Sequence, residues 1–441
     1  MGRTFHPCTM ICRTRFTIAL KAFVLSILIS TSAEAQDIYL KEGETEKKPS
    51  NLVLPFFFSS DTLDFAYGVG GVSSATIQPQ ATFGWGVLGS TNSSYGAYIG
   101  GVNFQIPGTE RLFVDPLFGV SRYTEMRSYQ DLPNDLFDGR AGSNESHIDD
   151  FIQGKGWDVF GELRFRYLLP MGHGKDDPIN VYRMTDGLIS SGFTGGEAFN
   201  PFTSGRTYLK VTPFYRNKNY DQDKDSQLLS ASNGLRFALE WDNRDFLASP
   251  SKGEHFKVGF NRDFGWFDSD SAYSTWDFEA AKYISLPAPD WLRQNVLALD
   301  FWTADTPTWS VNGDGSVSGR APEFRSPALG GFNRLRAFPF YRYNDRSAIY
   351  YGAEWRIMPD WNPLADIPLI ERWLDPDWWQ IVPFLEVGRV APDYDLSTLH
   401  EDMQRDAGVS LRFMLKKSVL RVDWATSEDS SSVWFMLGHP F

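Results

Sequence analysis

Cysteine is nearly missing from this chain. Its two cysteines, Cys8 and Cys12, both fall in an N-terminal stretch that reads as a secretory leader. The mature protein is therefore expected to have no thiol chemistry and no disulfide framework. Neither cysteine sits at the end of the leader, which argues against a lipid-anchored N-terminus. Long apolar runs are missing too. The longest, Phe16 to Ser30, is broken by Lys21 and falls short of the ~20 residues a helical span needs. Arg13 and Arg15 precede it and Ala33-Glu34-Ala35 follows as a small-x-small site, so cleavage is expected near Ala35. Positive charge is in deficit, at 42 Lys+Arg against 55 Asp+Glu. Four of those bases (Arg3, Arg13, Arg15, Lys21) and one acid (Glu34) lie in residues 1–35, which leaves 38 against 54. Binding a phosphate backbone needs a basic face, so nucleic acid is excluded as a partner.

Histidine is scarce as well. Beyond the leader there are only His147, His173, His255, His400 and His439. No Ser/His/acid spacing or nucleophile elbow accompanies them. No zinc spacing is present, and the glycines from Gly68 to Gly71 lie in a strand without the helix a dinucleotide site requires. No catalytic residue, no metal and no cofactor are expected, and the chain is not expected to be an enzyme. The acidic loops Asp221 to Asp225 and Asp393 to Asp395 read as solvated charge rather than calcium sites.

What is present is strict alternation. On Ser418 to Thr426, Leu420, Val422 and Trp424 face one way, and Arg421 and Asp423 the other. On Asp406 to Leu415, Val409, Leu411 and Phe413 oppose Ser410 and Arg412. On Asp345 to Ile357, Ile349, Tyr351 and Trp355 oppose Glu354 and Arg356. On Gly234 to Arg244, Phe237, Leu239 and Trp241 oppose Arg236, Glu240 and Asp242. Period-two segments are strands. Their length, ~9–11 residues, is what a tilted strand needs to cross a bilayer. An apolar outer face and a charged inner one are the pattern of a membrane barrel. Aromatic content of 15%, with 38 glycines and 25 prolines, suits many strands, tight turns and aromatic girdles. The fold class expected is all-β, a transmembrane antiparallel barrel of about sixteen strands.

Residues 36–55 are short and charged and read as a flexible periplasmic lead-in, with the barrel over 56–441. The first strand is placed at Thr62 to Val72. Thr124 to Gly156 reads as a long polar connection, and only one strand fits into Ile179 to Gly205. Met358 to Gln380 holds four tryptophans, and Ile367 to Asp375 reads either as a short interfacial helix or as an ordinary periplasmic turn. The last strand puts Val433, Phe435, Leu437 and Phe441 on one face. A terminal phenylalanine on such a strand resembles the signal read by the outer-membrane assembly machinery, so Phe441 is expected to carry that role.

Three further stretches carry a family likeness. GLRFALEWDNRDFLASPSKGEHF supplies an Asp-x-Arg-Asp run and a Pro-x-x-Gly turn through Asp242, Arg244, Asp245 and Gly253. LGG followed by LRAF is similar to a loop motif usually written Val/Ile-Arg-Gly-Phe/Tyr, through Leu335, Arg336 and Phe338. PFLEVG is similar to a facing Phe-x-Asp-x-Gly motif, through Phe384, Glu386 and Gly388. Together they resemble the barrel of the bacterial surface-antigen family, the superfamily of BamA, TamA and two-partner secretion translocators, densest over the last 120 residues. The resemblance implies that the sixth extracellular loop folds into the lumen and that Arg336 meets Glu386 on the inner wall. Ala337 stands where the motif has glycine, and Glu386 where it has aspartate. The resemblance also implies POTRA modules, and none is visible, so a member lacking them is expected.

Three functions stay open at this point. The first is outer-membrane assembly, insertion or translocation of protein through a seam between the first and last strands, which would bring in Gly68, Gly70, Phe435 and Phe441. The second is a passive or plugged channel, and the third, weakest, is a barrel enzyme. The partners expected are outer-membrane lipid and lipopolysaccharide, the assembly machinery during biogenesis and a periplasmic protein. The location expected is the outer membrane of a Gram-negative bacterium.

Overall fold

A computed structural model describes residues 38–441 except 61, 131–139, 192–194, 222–227, 314–316, 366 and 416–417. The expected leader and its expected cleavage site lie outside the described residues. Sixteen strands among the described residues form one antiparallel sheet closed into a barrel. They are β1 (Ser50–Ser60), β2 (Asp64–Ser74), β3 (Thr82–Ser90), β4 (Tyr95–Val102, resuming at Phe104–Gln105), β5 (Leu112–Ser128), β6 (Ile152–Leu168), β7 (Arg206–Tyr220) and β8 (Ala231–Asp242). The second half runs β9 (Gly253–Asp263), β10 (Tyr273–Ser285), β11 (Leu292–Asp305), β12 (Ser347–Pro359), β13 (Pro376–Ala391), β14 (Gln404–Leu415), β15 (Ser418–Thr426) and β16 (Ser431–Leu437). Each pairs with the next in the chain, as in Leu239↔Val258 and Glu386↔Asp406.

The alternation read from the sequence is the alternation of the wall. Leu239, Val258, Trp355, Leu385 and Trp424 are exposed on the outside, while Glu240, Glu354, Arg412, Arg421 and Asp423 are fully buried within. This inverts a soluble fold and fits a wall whose outer face meets hydrocarbon.

Several boundaries differ from expectation. The barrel begins at Ser50, so the segment read as a lead-in, 36–55, already carries the start of β1, and Thr62 to Val72 belongs largely to β2. β1 was hidden because its apolar residues run together as LVLPFFF instead of alternating. Gly68 and Gly70 consequently lie on β2, one strand in from the seam. A Cβ on Gly68 would stand 2.1 Å from the Phe56 ring, so this glycine makes room for an aromatic side chain. β5 and β6 also run further than expected, to Ser128 and from Ile152.

We call the end that holds Ser50 and Leu437 the lower end, periplasmic in an outer-membrane barrel. Most lower turns are short, but residues 169–205, between β6 and β7, are not. They contribute Val181–Thr185 and Leu188–Ser191, which pair with each other, and Val181–Thr185 also pairs in parallel with Ile38–Lys41. The expected flexible lead-in is thus in part a paired strand. This small sheet packs through Met184, Tyr39 and Leu188 onto Met358, Trp378, Met414 and Val419 at the lower ends of β12–β15. The Trp-rich turn does contain a short helix, α1 (Pro368–Leu374), with proline in its first turn and Asp375 in the left-handed conformation at its end.

The tail after β16 departs from the pattern. Gly438 takes φ 78° and turns the chain out of the strand. Phe441 then lies inside the barrel, clustered with Ala281, Tyr283, Val296 and Ala298, instead of continuing the outer face of Phe435. The face expected for Phe441 is corrected by that one turn.

Candidate functional site

Residues 306–346 join β11 to β12 at the upper end and form the sixth upper loop. Its central part folds down into the barrel. Gly330 and Gly331 take φ 103° and 113°, and a Cβ on Gly330 would stand 2.2 Å from the Pro339 carbonyl oxygen. Only glycine fits there. The amides of Gly330 and Gly331 donate to the carbonyls of Arg334 and Phe338, closing a compact tip. Leu335 also sits in the left-handed region, at φ 51°, whereas Ala337 does not. That explains why alanine serves where the motif carries glycine: the strained backbone is two residues earlier.

The tip delivers Arg336 to the inner wall. Its Nε lies 3.2 Å from Glu386 Oε1, and its Nη1 lies 3.1 Å from Glu354 Oε1 and 3.2 Å from Asp423 Oδ2. Its guanidinium stacks 3.4 Å above the Phe384 ring. The backbone is gripped as firmly: Arg336 N donates to Glu386 Oε2 at 2.8 Å and Ala337 N to Asp406 Oδ2 at 2.7 Å. On the far side, Trp434 Nε1 of β16 donates to the Arg336 carbonyl at 2.7 Å. Ser430 Oγ and Ser432 Oγ donate to the Ala337 carbonyl at 2.7 and 3.0 Å. Burial opposes charge on Arg336, but Glu386, then Asp423 and Glu354, more than restore it and hold its pKa well above the ordinary value.

A second ring of charge surrounds this contact. Arg412 and Arg356 reach Glu354 at 2.6 and 2.8 Å, and Arg421 reaches Asp423 at 3.2 Å while donating to the Phe332 carbonyl of the loop at 2.9 Å. Four arginines thus face Glu354, Glu386, Asp423 and Asp406, all of them buried in the lumen. Buried ions of this kind hold only when each has opposite charge and hydrogen bonds around it.

The expected clasp residues therefore meet. Leu335, Phe338 and Phe384 share one buried cluster, and Gly388 admits Leu329, whose Cδ1 would stand 2.9 Å from a Cβ at that position. Of the expected lumen charges, Glu354, Arg356, Arg412, Arg421 and Asp423 belong to the clasp. Arg236, Glu240 and Asp242 do not; they pair with Asp277, Lys210 and Arg244 on other parts of the wall. Asp406, Tyr350 and Trp434 were missed. Tyr350 donates its hydroxyl to Glu386 at 2.5 Å. Asp406 stands directly across from Glu386 on the inward face of the next strand, a pairing that only the strand register reveals.

His439 closes the lower side. Arg412 Nη1 donates to its Nδ1 at 2.8 Å, and its Nε2 lies 2.9 Å from the Ala248 carbonyl. One nitrogen must accept and the other donate, which is the neutral tautomer. Burial, with Arg356 and Arg412 nearby, pushes its pKa well below the ordinary value.

No family model matches the sequence and no curated protein matches it. Solved structures do. The chain superposes on CdiB from Escherichia coli with a TM-score of 0.52 at 11% identity, covering 88% of this chain and 62% of that one. CdiB from Acinetobacter baumannii follows with a TM-score of 0.48, at 10% identity, over 89% and 60%. The chain has the barrel fold of CdiB from Escherichia coli. It spans less than two thirds of that protein's length.

Proposed function

We propose that this chain is an outer-membrane barrel of the surface-antigen kind, in the BamA/TamA and two-partner secretion superfamily, that inserts or translocates polypeptide by opening between β1 and β16. The observation that carries this reading is the inserted loop clasped through Arg336 to Glu386, because the loop ties β12–β16 into one charged block ending at the last strand. The joint itself is built weakly. β16, with seven residues, is the shortest of the sixteen barrel strands among the described residues. A strand that ends after seven residues makes fewer ladder hydrogen bonds than the 17-residue pair β5 and β6 and separates at lower cost. The partners in this reading are bilayer lipid, lipopolysaccharide and a protein client, and no catalysis is involved.

Cysteines scanned along β1 (Asn51, Val53, Pro55) against β16 (Ser431, Val433, Phe435) test the proposal. A disulfide across the joint should abolish the cellular activity and reduction should restore it. If the locked barrel works as well as the open one, lateral opening is not the mechanism. Depletion followed by outer-membrane proteomics separates assembly from export: loss of many barrels supports assembly, and loss of one secreted client supports translocation.

A further inference from the structure

The upper hairpin between β9 and β10 presents side chains that the barrel's own packing does not use. Residues 264–272 lean sideways over the outer wall. Asp268 accepts from the Tyr215 hydroxyl at 2.9 Å and from Asn217 Nδ2 at 3.2 Å, and both donors stand on the outward face of β7. Asp270 accepts from the amides of Ser230 and Ala231 at 2.6 and 2.7 Å, and Asn233 Nδ2 donates to the Trp266 carbonyl at 2.7 Å. The hairpin is thereby fixed against β7 and β8. Its aromatic residues stay outside: Phe264, Trp266 and Phe267 are all exposed, and the Phe264 and Trp266 rings stack at 4.3 Å.

Two features of this tip are not explained by folding. Phe267 takes φ 54°, a conformation that strains a bulky residue and that glycine or asparagine adopts at less cost. Its side chain is 95% exposed, so no packing offsets that strain. Arg262 is the last outward residue of β9. Its Nη1 donates to Ser274 Oγ at 2.8 Å and its guanidinium lies 5.7 Å from the Phe264 ring centre. Among the described residues no carboxylate pairs with it. A cation on the outward wall is costly in hydrocarbon and cheap only at the interface, where lipid phosphates lie. Below it, Phe260 and Val258 expose an apolar strip. An unpaired base beside an aromatic tip and above an apolar strip complements an amphiphile with an anionic head.

We propose that Arg262 and the tip residues Phe264, Trp266 and Phe267 dock a phosphorylated lipid of the outer leaflet. The phosphate meets the Arg262 guanidinium, the tip covers the headgroup region and the chains run down over Phe260 and Val258. This inference rests on the upper end lying in the outer leaflet of an outer membrane and not on lateral opening. A locked joint that still works therefore leaves it standing, and loss of lipid binding leaves the joint untouched.

The test uses the purified full barrel in nonionic detergent, with lipid A as the probe and saturation binding as the readout. The wild type should bind saturably, and lipid A stripped of its phosphates should bind at least ~10-fold more weakly, as expected when a charged hydrogen bond is lost. Arg262→Gln should weaken lipid A by a similar factor and leave the phosphate-free form unaffected. Phe267→Asn relieves the backbone, so it should keep or raise the unfolding temperature while weakening lipid A. A purely structural role would not separate those two readouts. Arg405→Gln, which removes an exposed base at the upper end of β14, away from this hairpin, should leave the affinity unchanged. Inorganic phosphate, matched in ionic strength by sodium chloride, should not displace the lipid. The proposal is overturned if phosphate-free lipid A binds as tightly, since sugar or chains alone would then carry the contact. It is overturned as well if Arg262→Gln and Phe267→Asn bind as the wild type does, if Arg405→Gln weakens binding as much as Arg262→Gln, or if free phosphate displaces the lipid.

Discussion

Arg336 decides most at the scale of single residues. Replacing it with alanine leaves Glu354, Glu386 and Asp423 buried without their shared cation, and removing one member of such a group costs ~3–5 kcal/mol. Arg336→Ala should lower the temperature at which the folded barrel shifts mobility in semi-native electrophoresis. Arg336→Lys should recover only part of the loss, because lysine keeps the charge but not the fork or the stacking on Phe384. Equal behaviour of the two variants would mean that charge alone matters. His439 gives a pH test. Its native pKa lies below its unfolded value of ~6.5, so as pH falls through ~6.5 the unfolded chain takes up a proton that the native barrel refuses. Stability should therefore fall below pH ~6.5, by at most ~1.4 kcal/mol per unit, and His439→Gln should remove that part of the slope. Denaturant unfolding of both proteins between pH 7.5 and 5 measures it; identical slopes would mean that His439 carries no such proton deficit.

Among elements, the sixth loop is the one whose backbone is most constrained. Gly330→Ala forces a side chain into φ 103° and against the Pro339 carbonyl. It should cost ~1–3 kcal/mol and loosen the tip, read as increased proteolysis at residues 328–344. Gly313→Ala, in the same loop with open space around its Cβ, should stay within ~0.5 kcal/mol of wild type. How far such elements could be read from sequence follows from their periodicity. β12, β14 and β15 are half apolar and half charged, and the pattern gave both their existence and their facing. β1 has aromatics on both faces, and β16 runs into a tail that Gly438 diverts, so neither the seam nor the place of Phe441 could be read from alternation. Arg336 and Glu386 were legible from local motifs. Asp406 and Trp434 were not, because they reach the loop only through strand register.

At the scale of the whole molecule, the barrel is obstructed from both ends. The sixth loop fills its middle, and the small sheet of Ile38–Lys41, Val181–Thr185 and Leu188–Ser191 covers the lower ends of β12–β15. Planar-bilayer recordings should show little steady conductance for the wild type and a clear increase once residues 320–340 are removed. Large, steady conductance in the intact protein would favour the channel reading instead.

The account stands or falls on the position of the loop tip, and short-range crosslinking of Ala337→Cys to Ser432→Cys in native outer membranes tests it most directly. Ser432 Oγ lies 3.0 Å from the Ala337 carbonyl, and the only cysteines of the sequence are Cys8 and Cys12, in the stretch expected to be a leader. Efficient crosslinking, with Ala337→Cys shielded from an impermeant maleimide, is the expected result. Rapid maleimide labelling of Ala337→Cys from outside, with no crosslink to Ser432→Cys, would place the loop outside the lumen and contradict the clasp.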